Sequence, residues 1–175
     1  MNGGARFEPG TAAAIGSEFL ELFARTPFAD VKRALLEEDD FASVNAALGE
    51  FGRFLDRVIA PEIVVDFREA SSVAPDQDLI REGHQGWVDL WRLFMTPWRD
   101  FTVSDQHFHP LDDSRLIVDA IWNLTGEESG VQLSMLSVGF WEVRDEQVIR
   151  IAQFDSVAKA HDAAALPEGR HLDGA

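Results

Sequence analysis

The chain has no cysteine and no tyrosine among its 175 residues. The first absence removes disulfides, thiolate metal sites and cysteine nucleophiles together, and it fits a reducing, cytoplasmic compartment. The second removes phenolic hydroxyls, leaving indole N–H groups, imidazoles and carboxylates for polar work in a buried site. Positive charge is scarce too: 15 basic against 31 acidic side chains give a net charge of −16. Such a surface repels phosphate backbones and anionic headgroups, so neither nucleic acid nor a membrane is an expected partner. Apolar runs are short and broken by charge, well below the roughly 20 residues of a membrane-spanning helix. The opening residues show neither the basic start nor the apolar stretch of a signal peptide.

What is present is an ordinary globular balance, 46% apolar and 26% charged, in a length that suits one domain with a sizeable core. Residues 1–10 read as a flexible N-terminus, 11–165 as a single domain with an extended helical part at 11–43, and 166–175 as a flexible polar tail. A helix is expected from Thr11, with Ile15, Phe19, Leu22 and Phe23 on one face. Thr26-Pro27 reads as its stop and as the N-cap and first residue of a second helix carrying Phe28, Val31 and Leu35. The acidic run Glu37–Asp40 reads as a solvated turn and helix start. Val44, Leu48, Phe51, Leu55 and Val58 form the stripe of a third helix, flanked by Phe41 and Ile59 and ended by Ala60-Pro61. Gly49 and Gly52 lie inside it, and the sequence leaves open whether they serve a close crossing or a bend.

Beyond Pro61 the apolar period changes from 3.6 to 2. Strands are expected at 62–67, 81–84, 100–109, 115–124, 131–143 and 147–154. A helix at 86–94 carries Trp87, Leu90, Trp91 and Phe94, and a short helix at 156–165 closes the domain. Helices first and a mostly antiparallel sheet afterwards make an α+β domain.

Several local strings carry a resemblance: Ala60 to Phe67, Glu82-Gly83-His84-Gln85-Gly86-Trp87, Trp98-Arg99-Asp100-Phe101, and Gly139 to Asp145 leading through Val148 to Ile151 into Phe154-Asp155. In this order and spacing, over about residues 44–162, the chain resembles the SnoaL-like, polyketide-cyclase-like branch of the nuclear-transport-factor-two-like superfamily. The resemblance implies a cone-shaped, strongly curved mixed sheet wrapped on the N-terminal helices, the cystatin-like α+β barrel, with an apolar pocket at the wide end. It implies no cofactor, since such proteins move protons with side chains. It does not choose a reaction, because isomerases, cyclases, dehydratases, epoxide hydrolases and non-catalytic binding proteins share the fold.

Strand alternation assigns the pocket wall. Ile149, Ile151, Gln153 and Asp155 share one face of the last strand, and Arg150, which belongs in water, marks the other. Gln153 stands at the position that resembles the carboxylate of related epoxide hydrolases, and glutamine is no general base. Leu116, Val118, Ala120 and Trp122 face the same way, and Ala120 and Trp122 fill places where those relatives carry an arginine and a second carboxylate. Asp155 has two readings, a base at the pocket mouth or, with Ser156, a cap of the last helix. His107 and His109, two apart on one strand, are the other acid–base candidates, and a bulge would change their direction. No metal site is expected.

The expected function is therefore binding of a small apolar ligand, with no defined reaction. The alternative is a cofactor-independent acid–base enzyme, cyclase- or isomerase-like, acting on a small apolar carbonyl compound through Asp155, His107 and His109. Trp87, Trp91, Trp122, Gln153, Phe140 and Leu136 complete the expected ligand-binding set. Residues 131–141 are apolar at both parities, Leu136, Val138 and Phe140 against Leu133, Met135 and Trp141. A strand with two apolar faces needs cover on both, so a homodimer through the outer sheet face is expected.

Overall fold

The computed structural model describes residues 7–69 and 79–165. The first six residues, residues 70–78 between the first two expected strands, and the 166–175 tail lie outside these described residues. Helix α1 (Ala12–Arg25) starts where the Thr11 hydroxyl accepts from the Ala14 amide at 3.2 Å. It buries Ile15, Phe19, Leu22 and Phe23, the face that the spacing predicts. Thr26 belongs to this helix rather than the next: its hydroxyl donates to the Leu22 carbonyl at 2.8 Å. Pro27 itself takes the cap position of α2 (Phe28–Glu37), without a side-chain bond, since its missing N–H costs nothing at a helix start. Asp40 caps α3 (Phe41–Ala47) by accepting from the Ser43 amide at 2.9 Å, the role the acidic run suggests.

The single third helix that the stripe predicts is two. Gly49 breaks it with φ +61° and ψ −115°, a conformation open in practice only to glycine, and α4 (Glu50–Val58) begins afterwards. Gly52 serves closeness instead. A Cβ there would stand 1.7 Å from the Asn45 carbonyl oxygen, so α4 lies against α3 at a distance no other residue permits. The bend and the close crossing thus both occur, one at each glycine. Strand β1 (Ile59–Glu69) follows at once, so Ala60-Pro61 sits in the strand, where its pairing register is irregular.

After β2 (Ile80–Glu82) and α5 (Gly83–Met95) come β3 (Trp98–Pro110), β4 (Arg115–Gly126), β5 (Gln132–Arg144), β6 (Gln147–Phe154) and α6 (Val157–Ala164). The six strands form one mixed sheet in the order β2-β1-β6-β5-β4-β3, parallel only between β1 and β6. Helices α1, α4 and α5 pack on its inner face. Leu116, Val118, Ala120 and Trp122 face inward as alternation predicts, and Trp122 meets Phe94 and Phe101 at 5.0 and 5.3 Å. Among the described residues no helix is long and apolar enough to cross a membrane.

Two bulges shift the strand parities. In β3 the register slips between Ser104 and His107, where Asp105 has φ +49°. Before the slip Phe101 and Val103 face the core; after it Phe108 does, and His107 and His109 face outward. In β6 Ile149 has no partner between Val148 and Arg150, so Val148 rather than Ile149 joins Ile151 and Gln153 on the inner face. Helix α6 covers part of the outer face, burying Ile117, Val138, Phe140 and Phe154 with Ala160 and Ala164. Helices therefore lie on both faces of the sheet.

Candidate functional site: a helix-lined cavity

Between the sheet and the helices, aromatic side chains pack against one another. Trp141 lies edge-on to Phe19 at 5.1 Å, and Trp122 wedges between Phe94 and Phe101. Gln153, 6% exposed, donates its amide to the Ser137 hydroxyl, itself 6% exposed. A buried amide so partnered is a satisfied core group. Phe140 packs under α6, and Leu136 is 42% exposed on the outer face. Trp122, Gln153, Phe140 and Leu136 are not among the described residues that line the helix-bounded cavity.

The three acid–base candidates also stand elsewhere. Asp155 is exposed and accepts from the Lys159 ammonium at 2.7 Å. That hydrogen bond holds its carboxyl below the usual range, the reverse of what a general base near neutral pH needs. Ser156 supplies the cap of α6 by accepting from the Lys159 amide. His107 Nδ1 and His109 Nε2 bond to the two oxygens of Asp119 at 2.9 and 2.6 Å, on the outer face. Burial pushes the Asp119 carboxyl up, but the hydrogen bonds from His109 and His107 outweigh it and hold it below the ordinary value. Asp119 thus joins the two histidines into an outward cluster that the sequence did not reveal.

A cavity does open, among the helices. Phe19 and Phe23 of α1 and Val31 and Leu35 of α2 form one side. Val44, Leu48, Phe51 and Leu55 form the next, and Trp87, Val88 and Trp91 of α5 close the third. About 400 Å³ of empty space lies between them, open solvent included. Every lining residue is buried except Trp91, which is half-buried and marks the rim. Of the expected ligand-binding residues, Trp87 and Trp91 are therefore the two that the cavity gathers.

The lining contains one polar residue beyond the indoles, Asn45 of α3, which is 1% exposed. Its Nδ2 donates to the Asp56 carboxylate at 2.7 Å, while its Oδ1 has no partner. Trp91 Nε1 is likewise buried and unpartnered. An unmet buried polar group costs about 1–3 kcal/mol, so an empty cavity carries a standing penalty on two helices. Arg92 braces the wall: its guanidinium donates to the Leu35 carbonyl at 2.6 Å and the Glu38 carbonyl at 2.8 Å. It thereby holds the C-terminal carbonyls of α2 against α5.

Among the described residues no carboxylate, imidazole or ammonium lines this cavity. Its chemistry is to exclude water, stack aromatic surface and offer one acceptor and one N–H donor. Phe19, Phe23 and Phe51 were legible in the sequence only as helix-face residues, and Asn45 was not singled out. The one available signal was Asn45, a polar residue directly after Val44 in an otherwise apolar stripe.

No family model matches the chain, and no curated protein matches its sequence. Solved structures share its fold. A nuclear-transport-factor-two-like protein from Anabaena variabilis is 10% identical with a TM-score of 0.58, over 88% of this chain and 96% of its own. A protein from Jannaschia, provisionally described as a SnoaL-like polyketide cyclase, is 15% identical with a TM-score of 0.50, over 94% of this chain and all of its own (100%). TerC, crystallised with polyporic acid, is 16% identical with a TM-score of 0.50, over 76% of this chain and 96% of its own. At such identities the likeness is one of fold: the chain has the nuclear-transport-factor-two-like α+β architecture.

Proposed function

We propose, from that fold and from the helix-lined cavity, that the protein binds a small, largely apolar molecule and assists no defined reaction. The observation that carries this reading is the composition of the wall: aromatic and aliphatic side chains around a single amide, without a titratable group. Such walls bind by excluding water and orient their ligand through a few polar atoms. TerC, a protein of the same fold, was crystallised with a small organic acid. The alternative, an acid–base enzyme on an apolar carbonyl compound, lacks a proton carrier on this wall. Asp155, His107 and His109 are separated from it by the packed core and the sheet.

Toluene titrated into the full chain tests the reading through tryptophan fluorescence, since Trp87 and Trp91 border the cavity. Saturable binding that Val88→Phe abolishes, with the variant still cooperatively folded, supports it. Toluene that fails to bind, or binds the folded Val88→Phe variant equally well, overturns it.

We also infer a homodimer through the part of the outer sheet face that α6 leaves bare. Support comes from Leu136, a large apolar residue 42% exposed on the outer face of β5. A cytoplasmic location is proposed on the cysteine-free composition.

A further inference from the structure

Two polar atoms of the cavity wall lack partners, Asn45 Oδ1 on α3 and Trp91 Nε1 on α5. They ask for opposite things: the amide oxygen needs a donor, the indole N–H an acceptor. Asn45 cannot relieve its oxygen by flipping. Its nitrogen already donates to Asp56 at 2.7 Å, and a flipped amide would set an oxygen against a carboxylate, acceptor against acceptor. Asn45 is 1% exposed, so bulk water does not reach it.

We propose that the cavity receives a neutral apolar molecule bearing a hydroxyl, an alcohol or a phenol, whose O–H donates to Asn45 and whose oxygen accepts from Trp91. This rests on the reading of the cavity as a binding site. A hydroxyl is the smallest uncharged group that donates and accepts through one oxygen. A carboxylate brings no proton for Asn45, and no cationic side chain lines the wall to receive its charge. An ammonium satisfies Asn45 and offers nothing to Trp91. A hydrocarbon leaves both atoms unmet. Apolar walls discriminate weakly by themselves, whereas a site that hydrogen-bonds a hydroxyl rejects the analogue lacking one.

The test compares phenol with toluene, which exchanges hydroxyl for methyl on the same ring, by calorimetry on the full chain. Benzoate and benzylammonium serve as charged controls. Phenol is expected to bind at least about tenfold more tightly than toluene. Asn45→Leu and Trp91→Phe are each expected to erase most of that preference, read as the ratio of phenol to toluene affinity within each variant. Trp91→Phe removes the N–H donor together with the pyrrole ring at a half-buried rim position, so the phenol-to-toluene ratio is its readout, and it keeps the test open should Asn45→Leu fold poorly. Equal affinity for phenol and toluene overturns the proposal, as does a preference surviving in Trp91→Phe, or benzoate or benzylammonium binding as tightly as phenol. If neither phenol nor toluene binds, the cavity-binding reading itself is wrong and this proposal falls with it.

Discussion

Gly52 meets the backbone carbonyl of Asn45 so closely that a Cβ added there would lie 1.7 Å from its oxygen. The contact seats α4 against α3 and fixes the residue that carries the cavity's one free acceptor. Gly49, three residues earlier, has no heavy atom within 4 Å of an added Cβ but a φ of +61°.

The two glycines therefore fail differently when replaced. Gly52→Ala forces backbone apart and is expected to cost about 3 kcal/mol of unfolding free energy. Gly49→Ala carries conformational strain without a clash and is expected to cost about 1–2 kcal/mol. Urea unfolding of both variants checks the order; a Gly52→Ala protein as stable as the parent contradicts the crossing.

Asn45 should matter for ligand more than for stability. Asn45→Leu deletes an unpartnered buried oxygen, and the exposed Asp56 that loses its partner returns to water. The free protein is expected to stay within about 1 kcal/mol of the parent or to gain stability. Asn45→Asp, which buries a second carboxylate beside Asp56, is expected to lose more than about 2 kcal/mol. Denaturant midpoints at neutral pH decide both.

Arg92 links the stability of α2 to the shape of the cavity. Arg92→Met removes the donors that meet the Leu35 and Glu38 carbonyls, at an expected cost of about 1–3 kcal/mol. Because Leu35 is a wall residue, the same variant is expected to weaken toluene binding severalfold. Unchanged binding together with lost stability would separate the brace from the site.

The outer cluster predicts an acid-sensitive contribution. Asp119 is held below its ordinary value when folded, so its ionised form favours the folded chain. That contribution is complete above the unfolded carboxyl pKa of about 3.9 and is lost as pH falls through the lower folded value. Asp119→Asn is expected to trail the parent by about 1 kcal/mol or less at pH ~5. The gap should narrow below pH ~4, as read by urea unfolding across pH. A gap that widens with acid contradicts the assignment.

Much of the architecture was legible because it depends on period. The stripe Ile15, Phe19, Leu22, Phe23 and the alternation Leu116, Val118, Ala120, Trp122 each declare their buried face without tertiary information. The directions of His107 and His109 were not legible. One inserted residue reverses every side chain beyond it, and nothing local to Asp105 announces the bulge. The break at Gly49 was half legible, as a glycine inside a helix that either bends or admits a neighbour. The cavity among the helices was not legible for a different reason. Which space stays empty depends on how Trp122 and Trp141 fill the cone against Phe94, Phe101 and Phe19, a matter of volume that a linear pattern does not encode.

The central claim is that ligand enters among the helices and not between helices and sheet. The five tryptophans make it directly measurable, because each indole N–H gives its own resonance in a two-dimensional nitrogen–proton spectrum. Titration with phenol is predicted to move the Trp91 signal most and Trp87 next, leaving those of Trp122 and Trp141 in place. Movement of Trp122 or Trp141 with Trp91 unmoved would contradict the account and return the site to the interior of the cone.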